Sequence, residues 1–281
     1  MFSFSLLSGL SFVRVEEQVR DVLGEGKQND DQRLVCRKIL SLLDFTSLEG
    51  SDNAAKIELL CRKALSFGEK DLPYPAAVCI YPPFVSQARR LLQGSPIKVA
   101  TTAGAFPGGQ MSLAVKLEEI RYAIREGADE IDLVISRGTF LEEKYHVVFR
   151  ELDVVRELCK GLTLKVILET GELKSPENIA KASEIAIEAG ADFIKTSTGK
   201  ILPAATEEAM YTMLLVIREY HRKTGKKVGI KPAGGIVEPE KAMRYYRLVE
   251  EILGKEWLSP DLFRIGASRL ADNLVNILIQ P

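Results

Sequence analysis

A chain of 281 residues with 46% hydrophobic content is long enough to bury one large core or two smaller ones. Its formal charge of -1 argues against nucleic acid or an anionic membrane surface as a partner, since both call for a basic excess. Two histidines and four scattered cysteines without a CxxC pair leave little material for a metal centre, a histidine triad or a disulfide framework, so neither metal nor cofactor is expected.

The N-terminal "MFSFSLLSGLSF" lacks a basic leading segment and an evident cleavage site, and no run of 18 apolar residues follows anywhere. The expected compartment is therefore the reducing cytoplasm, with no membrane contact. Residues 1–32 read as a helical extension that ends in the polar linker "GEGKQNDDQ", and residues 33–281 as a single catalytic domain. In that domain short β-type runs alternate with longer amphipathic ones. The runs are "LLDFTS" around Asp44, "AAVCIY" around Cys79, "IKVATT" around Thr101 and "EIDLVIS" around Asp132. "LKVILETG" around Glu169, "FIKTSTG" around Lys195, "VGIKPAGG" around Lys231 and "FRIGAS" around Gly266 complete the set. Successive markers lie 22 to 37 residues apart, room for one crossover helix each. Three such helices are plain: "NAAKIELLCRKAL" from Asn53, "LAVKLEEIRYAIREG" from Leu113, and "PENIAKASEIAIEAG", opened by Pro176 and closed by Gly190. Eight β-then-α units predict a (β/α)8 barrel; the alternative is a doubly wound open sheet.

Side chains alternate along a strand, so in a barrel one set meets the helices and the other the interior. Leu164, Val166 and Leu168 suit the helix layer, which turns Lys165, Ile167 and Glu169 inward. The same parity turns Asp44 and Thr46, Asp132 with Glu130, Lys195 and Lys231 inward. The interior thus receives three lysines together with Asp44, Asp132 and Glu169. Enclosed charges on this scale are costly unless paired, and an ion-pair network without catalysis is the plainer alternative.

A free lysine has a pKa of about 10.4, so roughly one in a few thousand is a neutral nucleophile at pH 7. Burial and a neighbouring cation both lower that value. Lys195 beside Lys231 therefore reads as an activated amine able to form a Schiff base with a carbonyl, and Asp132 as its proton carrier.

"TSTGK", "PAGGI" and "GASRL" follow strands six, seven and eight and offer backbone N–H groups, hydroxyls and Lys200 at adjacent loop ends. Barrels commonly hold phosphate there, with Gly234 and Gly235 permitting close approach and Ser268 opening the last helix. "TSTGK" is not a nucleotide-binding P-loop, because Ile201 stands where Ser or Thr is required. Cys79 reads as core, His146 and His221 as solvated surface, and "AFPGGQ" (105–110) as a turn bordering the site.

"EIDLV", "LKVILETGEL", "ADFIKTSTGK" and "VGIKPAGGI", in this order along the chain, resemble the 2-deoxy-D-ribose-5-phosphate aldolase family from about Leu40 to Leu274. The resemblance implies a metal-free class I aldolase on a (β/α)8 barrel. It would reversibly cleave 2-deoxyribose 5-phosphate to glyceraldehyde 3-phosphate and acetaldehyde in deoxyribonucleoside catabolism. It also implies Lys195 as the Schiff-base lysine, Lys231 as the lysine that perturbs it, Asp132 for proton transfer, and Asp44, Thr46 and Lys165 as supporting polar groups. The implied phosphate set is Gly199, Lys200, Gly234, Gly235, Gly266 and Ser268, and a homo-oligomer is possible for the family. Many members carry arginine where this chain has Val237, with Arg269 a candidate replacement. Some bacterial members end in a tyrosine that assists proton transfer, whereas "NILIQP" offers none. Another class I barrel aldolase, or a sugar-phosphate-binding protein without turnover, are the competing readings.

Overall fold

The computed structural model describes residues 11–24 and 31–279, so most of the polar linker lies outside the described residues. Among the described residues eight short strands form one parallel sheet: β1 (Leu43–Thr46), β2 (Ala77–Ile80), β3 (Lys98–Ala103), β4 (Glu130–Val134), β5 (Thr163–Ile167), β6 (Phe193–Lys195), β7 (Gly229–Lys231) and β8 (Ile265–Ala267). Each pairs with its sequence neighbour from β1 through β7, and β1 also pairs with β8. Parallel bridges Ile230 to Phe263 and Ala233 to Gly266 join β7 to the β8 segment. The sheet closes on itself, as a (β/α)8 barrel requires and an open doubly wound sheet does not.

Helices α1 (Phe12–Leu23) and α2 (Gln32–Ser41) precede the first strand. The crossovers are α3 (Ala54–Glu69), α4 (Val85–Leu91), α5 (Leu113–Arg125), α6 (Arg137–Leu141) with α7 (Tyr145–Leu158), α8 (Thr170–Leu173) with α9 (Pro176–Glu188), α10 (Glu207–Thr224) and α11 (Pro239–Leu253). The last helix is α12 (Leu270–Ile279). Local chemistry sets several of these ends. Asn53, Ser175 and Thr206 each accept a hydrogen bond from a first-turn amide, and Pro176 supplies a fixed φ at the first position of α9. Gly225 closes α10 at φ 72°, a left-handed conformation that glycine adopts without strain. α1 buries Val15, Val19 and Leu23 in the same apolar cluster as the barrel helices and packs on α10 and α11.

Register positions the chemistry. Asp132 lies opposite Lys165, which in turn lies opposite Phe193; Lys195 lies opposite both Ile167 and Lys231; Asp44 lies opposite Gly266. Parallel partners share a face, so these side chains meet inside the barrel in successive layers. The Phe193 ring fills the space over Gly229, where an added Cβ would come within 2.4 Å of it, and underlies the Arg264 guanidinium at 5.7 Å.

Candidate active site

Asp132 is the hub of the interior. Its Oδ2 accepts from Lys195 Nζ and Lys231 Nζ, both at 2.6 Å, and its Oδ1 accepts from Lys165 Nζ at 2.9 Å. Lys231 also donates to Asp44 Oδ2, and Lys165 to Glu130. Arg264 spans the two outer carboxylates, reaching Asp44 Oδ1 at 2.6 Å and Glu130 Oε1 at 2.8 Å. All seven side chains are buried. Four basic groups therefore face three carboxylates, and Lys195 is the amine with a single carboxylate partner, Asp132.

Ionisation follows from this uneven sharing. Burial lowers the Lys195 pKa; Asp132 opposes the shift, and the Lys231 ammonium adds to it. Burial also works against charge on Lys231, but Asp132 and Asp44 outweigh it and hold that lysine firmly protonated. Lys165 is likewise pushed up by Asp132 and Glu130 against its burial. Asp132 is buried too, yet the three lysines keep its carboxyl well below the usual range. Burial lowers Lys195 more than the neighbouring cation does, and because all three lysines are buried it is the single carboxylate partner of Lys195 that leaves this amine alone shifted downward.

Lys195, 3% exposed, lines a cavity of about 310 Å3 together with Thr46, Gly199, Lys200, Gly234, Gly235, Gly266 and Ser268. A small metabolite fits this volume. Thr46 donates its hydroxyl to the Asp44 carbonyl at 2.6 Å. Gly199, Gly234 and Gly235 have φ of 79°, 88° and 70°. At Gly234 an added Cβ would also lie 2.7 Å from Ala204 Cβ and 2.8 Å from Gly199 Cα, so the two loops touch only because both are glycine here. Lys200 Nζ pairs with Glu49 at 3.0 Å, and Lys56 and Arg269 line the same cavity, while Val237 contributes an apolar wall. A neighbouring groove of about 470 Å3 carries Glu49, Asp52 and Glu119 and no cation, which suits it poorly to an anion.

Some expectations need correction. Glu169 does not join the lysines: the chain leaves β5 at Ile167, and Glu169 takes φ 57°, which ends the strand alternation. Its carboxylate instead accepts from Arg137 at 2.9 Å and from the Thr198 amide at 3.2 Å and hydroxyl, tying "TSTGK" to the end of β5. Ser268 precedes α12 in a turn, and the helix begins at Leu270. Gly266 has a packing reason of its own, since a Cβ there would meet Ala233 Cβ at 2.8 Å and Lys231 Cε at 3.2 Å. Cys79 is buried as expected but faces inward, its Sγ 3.9 Å from Asp132 Oδ2. His146 is exposed, whereas His221 is half-buried and stacks edge-on against Trp257 at 5.0 Å. No motif marks Arg264 in the sequence, although it shares the inward parity of Gly266. Arg137 sits on a short helix with no periodic signal.

Among the described residues no helix is long and apolar enough to cross a membrane. Comparison with known proteins bears on the chemistry. Residues 38–249 match the model of the DeoC/LacD family aldolases. Deoxyribose-phosphate aldolase of Homo sapiens is 44% identical over 250 residues, covering 84% of this chain and 78% of its own. The enzyme of that name from Agrobacterium fabrum is 46% identical over 242 residues, covering 85% and 90%. Among solved structures, "QR15, an Aldolase" superposes with a TM-score of 0.70 at 31% identity, covering 85% of this chain and 96% of its own. The tetrameric deoxyribose phosphate aldolase from Aeropyrum pernix shares the fold with a TM-score of 0.70 at 24% identity, covering 95% and 98%. The chain belongs to the DeoC/LacD family of aldolases, and as such is a carbon–carbon lyase built on a (β/α)8 barrel.

Proposed function

We propose that the protein reversibly cleaves 2-deoxy-D-ribose 5-phosphate to glyceraldehyde 3-phosphate and acetaldehyde through an imine on Lys195. The observation that carries this reading is a buried amine with one carboxylate partner at the edge of a cavity ringed by glycine loops and Lys200. The neutral Lys195 Nζ adds to C1 of the open-chain sugar. Asp132, 2.6 Å from that nitrogen, carries the proton that must reach the departing hydroxyl as the carbinolamine loses water. Loss of the C3 hydroxyl proton then lets the C2–C3 bond break. Its electron pair moves onto C2 and the iminium nitrogen as an enamine, and glyceraldehyde 3-phosphate leaves. Protonation at C2 and hydrolysis release acetaldehyde and return the amine.

The supporting groups divide the remaining tasks. Lys231 stays charged and disfavours a second ammonium at Lys195. Lys165 and Asp44 hold Asp132 and Lys231 in place, with Thr46 fixing the Asp44 backbone. Backbone N–H groups of the loops at Gly199, Gly234 and Gly235, with Lys200, Ser268 and Arg269, would receive the phosphate. The names of the human and bacterial relatives favour this substrate. The same reading places the enzyme in the cytoplasm, in deoxyribonucleoside breakdown. Borohydride trapping with 2-deoxyribose 5-phosphate, followed by peptide mapping, tests it: an adduct on Lys195 that is absent in Lys195→Ala is expected. Binding of the sugar phosphate without any trapped adduct would overturn it.

A further inference from the structure

Arg264 and Glu130 take no part in the steps above, yet they belong to the same buried network. Arg264 is 4% exposed and lies at the edge of β8, against the Phe193 ring and away from the cavity that Lys195 lines. It bonds one oxygen of Asp44 and the carboxylate of Glu130, whose other contact is Lys165. A guanidinium does not deprotonate in a protein, so one positive charge of the network is permanent.

We propose that Arg264 is a positioning residue that sets the ionisation of Lys195, by occupying carboxylate oxygens and leaving the buried network with one basic group more than it has acids. With Arg264 neutral, three lysines would face three carboxylates and all could stay charged. With it present, one lysine must give up a proton, and Lys195 has the fewest carboxylate contacts. The inference rests on the lysine mechanism proposed above.

The groups facing Lys195 fit this account. Asp132 comes from β4, Lys231 from β7 and Cys79 from β2, with Lys165 of β5 and Asp44 of β1 bonded to the same carboxylate or the same lysine. β3 presents the neutral Thr102 opposite Asp132. At the open side Lys200 is paired with Glu49 and Lys56 with Asp52, so both are partly neutralised, and Arg269 stands in the same cavity wall. Burial is the largest influence lowering Lys195, and the charge excess decides that the lowering can be realised.

The test is the pH dependence of reductive trapping, with acetaldehyde as the probe, cyanoborohydride as reductant and intact-protein mass as the readout. It needs no turnover. The expected midpoint for trapping on Lys195 moves up by about one unit or more in Arg264→Met and down in Glu130→Gln. The double variant Arg264→Met/Glu130→Gln restores the one-charge excess and returns toward wild type, and Arg264→Lys stays close to it. Shifts of the same sign in both single variants, or none, overturn the proposal, because a purely structural role predicts additive damage rather than restoration. Should Arg264→Met fail to fold, Glu130→Gln decides alone: a lower midpoint supports the account and an unmoved or raised one ends it. A wild-type protein that traps nothing on Lys195 would instead sink the lysine mechanism itself.

Discussion

Lys195 and Lys231 donate to one and the same oxygen, Asp132 Oδ2, at 2.6 Å each. They differ in what else they hold. Lys231 has Asp44 as a second partner, while Lys195 turns toward the cavity and has none. Two chemically identical side chains on adjacent strands are thereby shifted in opposite directions, Lys231 up and Lys195 down. Partner count, rather than residue type, separates them.

Lys231→Leu removes the fixed cation and leaves Asp132 Oδ2 to Lys195. The Lys195 ammonium is then better stabilised, its pKa rises, and less free amine is present at neutral pH. The expected result is an acid limb of the kcat profile displaced to higher pH, with kcat at pH 7 lower by on the order of 10²-fold or more. Retro-aldol rates measured across pH check this. A uniform loss at every pH, with the limb in place, would remove Lys231 from the tuning of the amine.

Much of this site was legible from alternation alone. Asp44, Asp132, Lys165, Lys195 and Lys231 all occupy regular strands, where a period of two fixes the face, and all five meet as that period requires. The rule fails one residue past the regular backbone. Glu169 follows β5 in a left-handed conformation and turns to Arg137 and Thr198 instead of the lysines. Arg264 stands beside β8 and Glu130 on β4, four strands apart in the sheet order, so their contact runs across the interior and strand alternation by itself does not give it. The β1 to β8 pairing closes the ring and brings the two side chains to face each other.

Lys200 offers a separate handle on substrate recognition. Its ammonium pairs with the largely exposed Glu49 at 3.0 Å, and an incoming phosphate competes with that carboxylate. Lys200→Ala is expected to raise KM for 2-deoxyribose 5-phosphate by about tenfold while leaving KM for unphosphorylated 2-deoxyribose unchanged. Glu49→Gln should act in the opposite direction by a factor of about five or less, the scale of one exposed ion pair. Equal effects of Lys200→Ala on both sugars would place the lysine outside the phosphate contact.

Gly234→Ala tests the loop contact. The new methyl would have to fit at φ 88° between Ala204 and Gly199, closer to both than van der Waals contact allows. A loss of about 1–3 kcal/mol in stability is expected, with KM for the phosphorylated sugar raised. Acetaldehyde should still be trapped on Lys195, because the strand that carries the lysine is untouched. Unaltered urea midpoint and KM together would show that the loops need not approach so closely.

Glu184 gives a pH dependence that has nothing to do with catalysis. It lies on α9, 9% exposed, where burial raises its pKa from an ordinary 4.5 to about 7; Lys223 partly offsets this and Glu188 adds to it. In the unfolded chain the carboxyl releases its proton near the ordinary value, while the folded protein keeps it. Below pH 4.5 both states are protonated and the residue is neutral in the balance. Between about 4.5 and 7 the folded state binds more protons, so stability falls as pH rises, and the loss is complete above the folded value. The window spans a cost of about 1–3 kcal/mol. Glu184→Gln, which cannot ionise, should lie close to wild type at pH 5, where only the first part of the loss has occurred, and exceed it by clearly more at pH 8, as read from urea unfolding at the two pH values. If both proteins lose the same stability between pH 5 and pH 8, the carboxyl is already charged in the folded state, and the burial of α9 against its neighbours does not hold its proton.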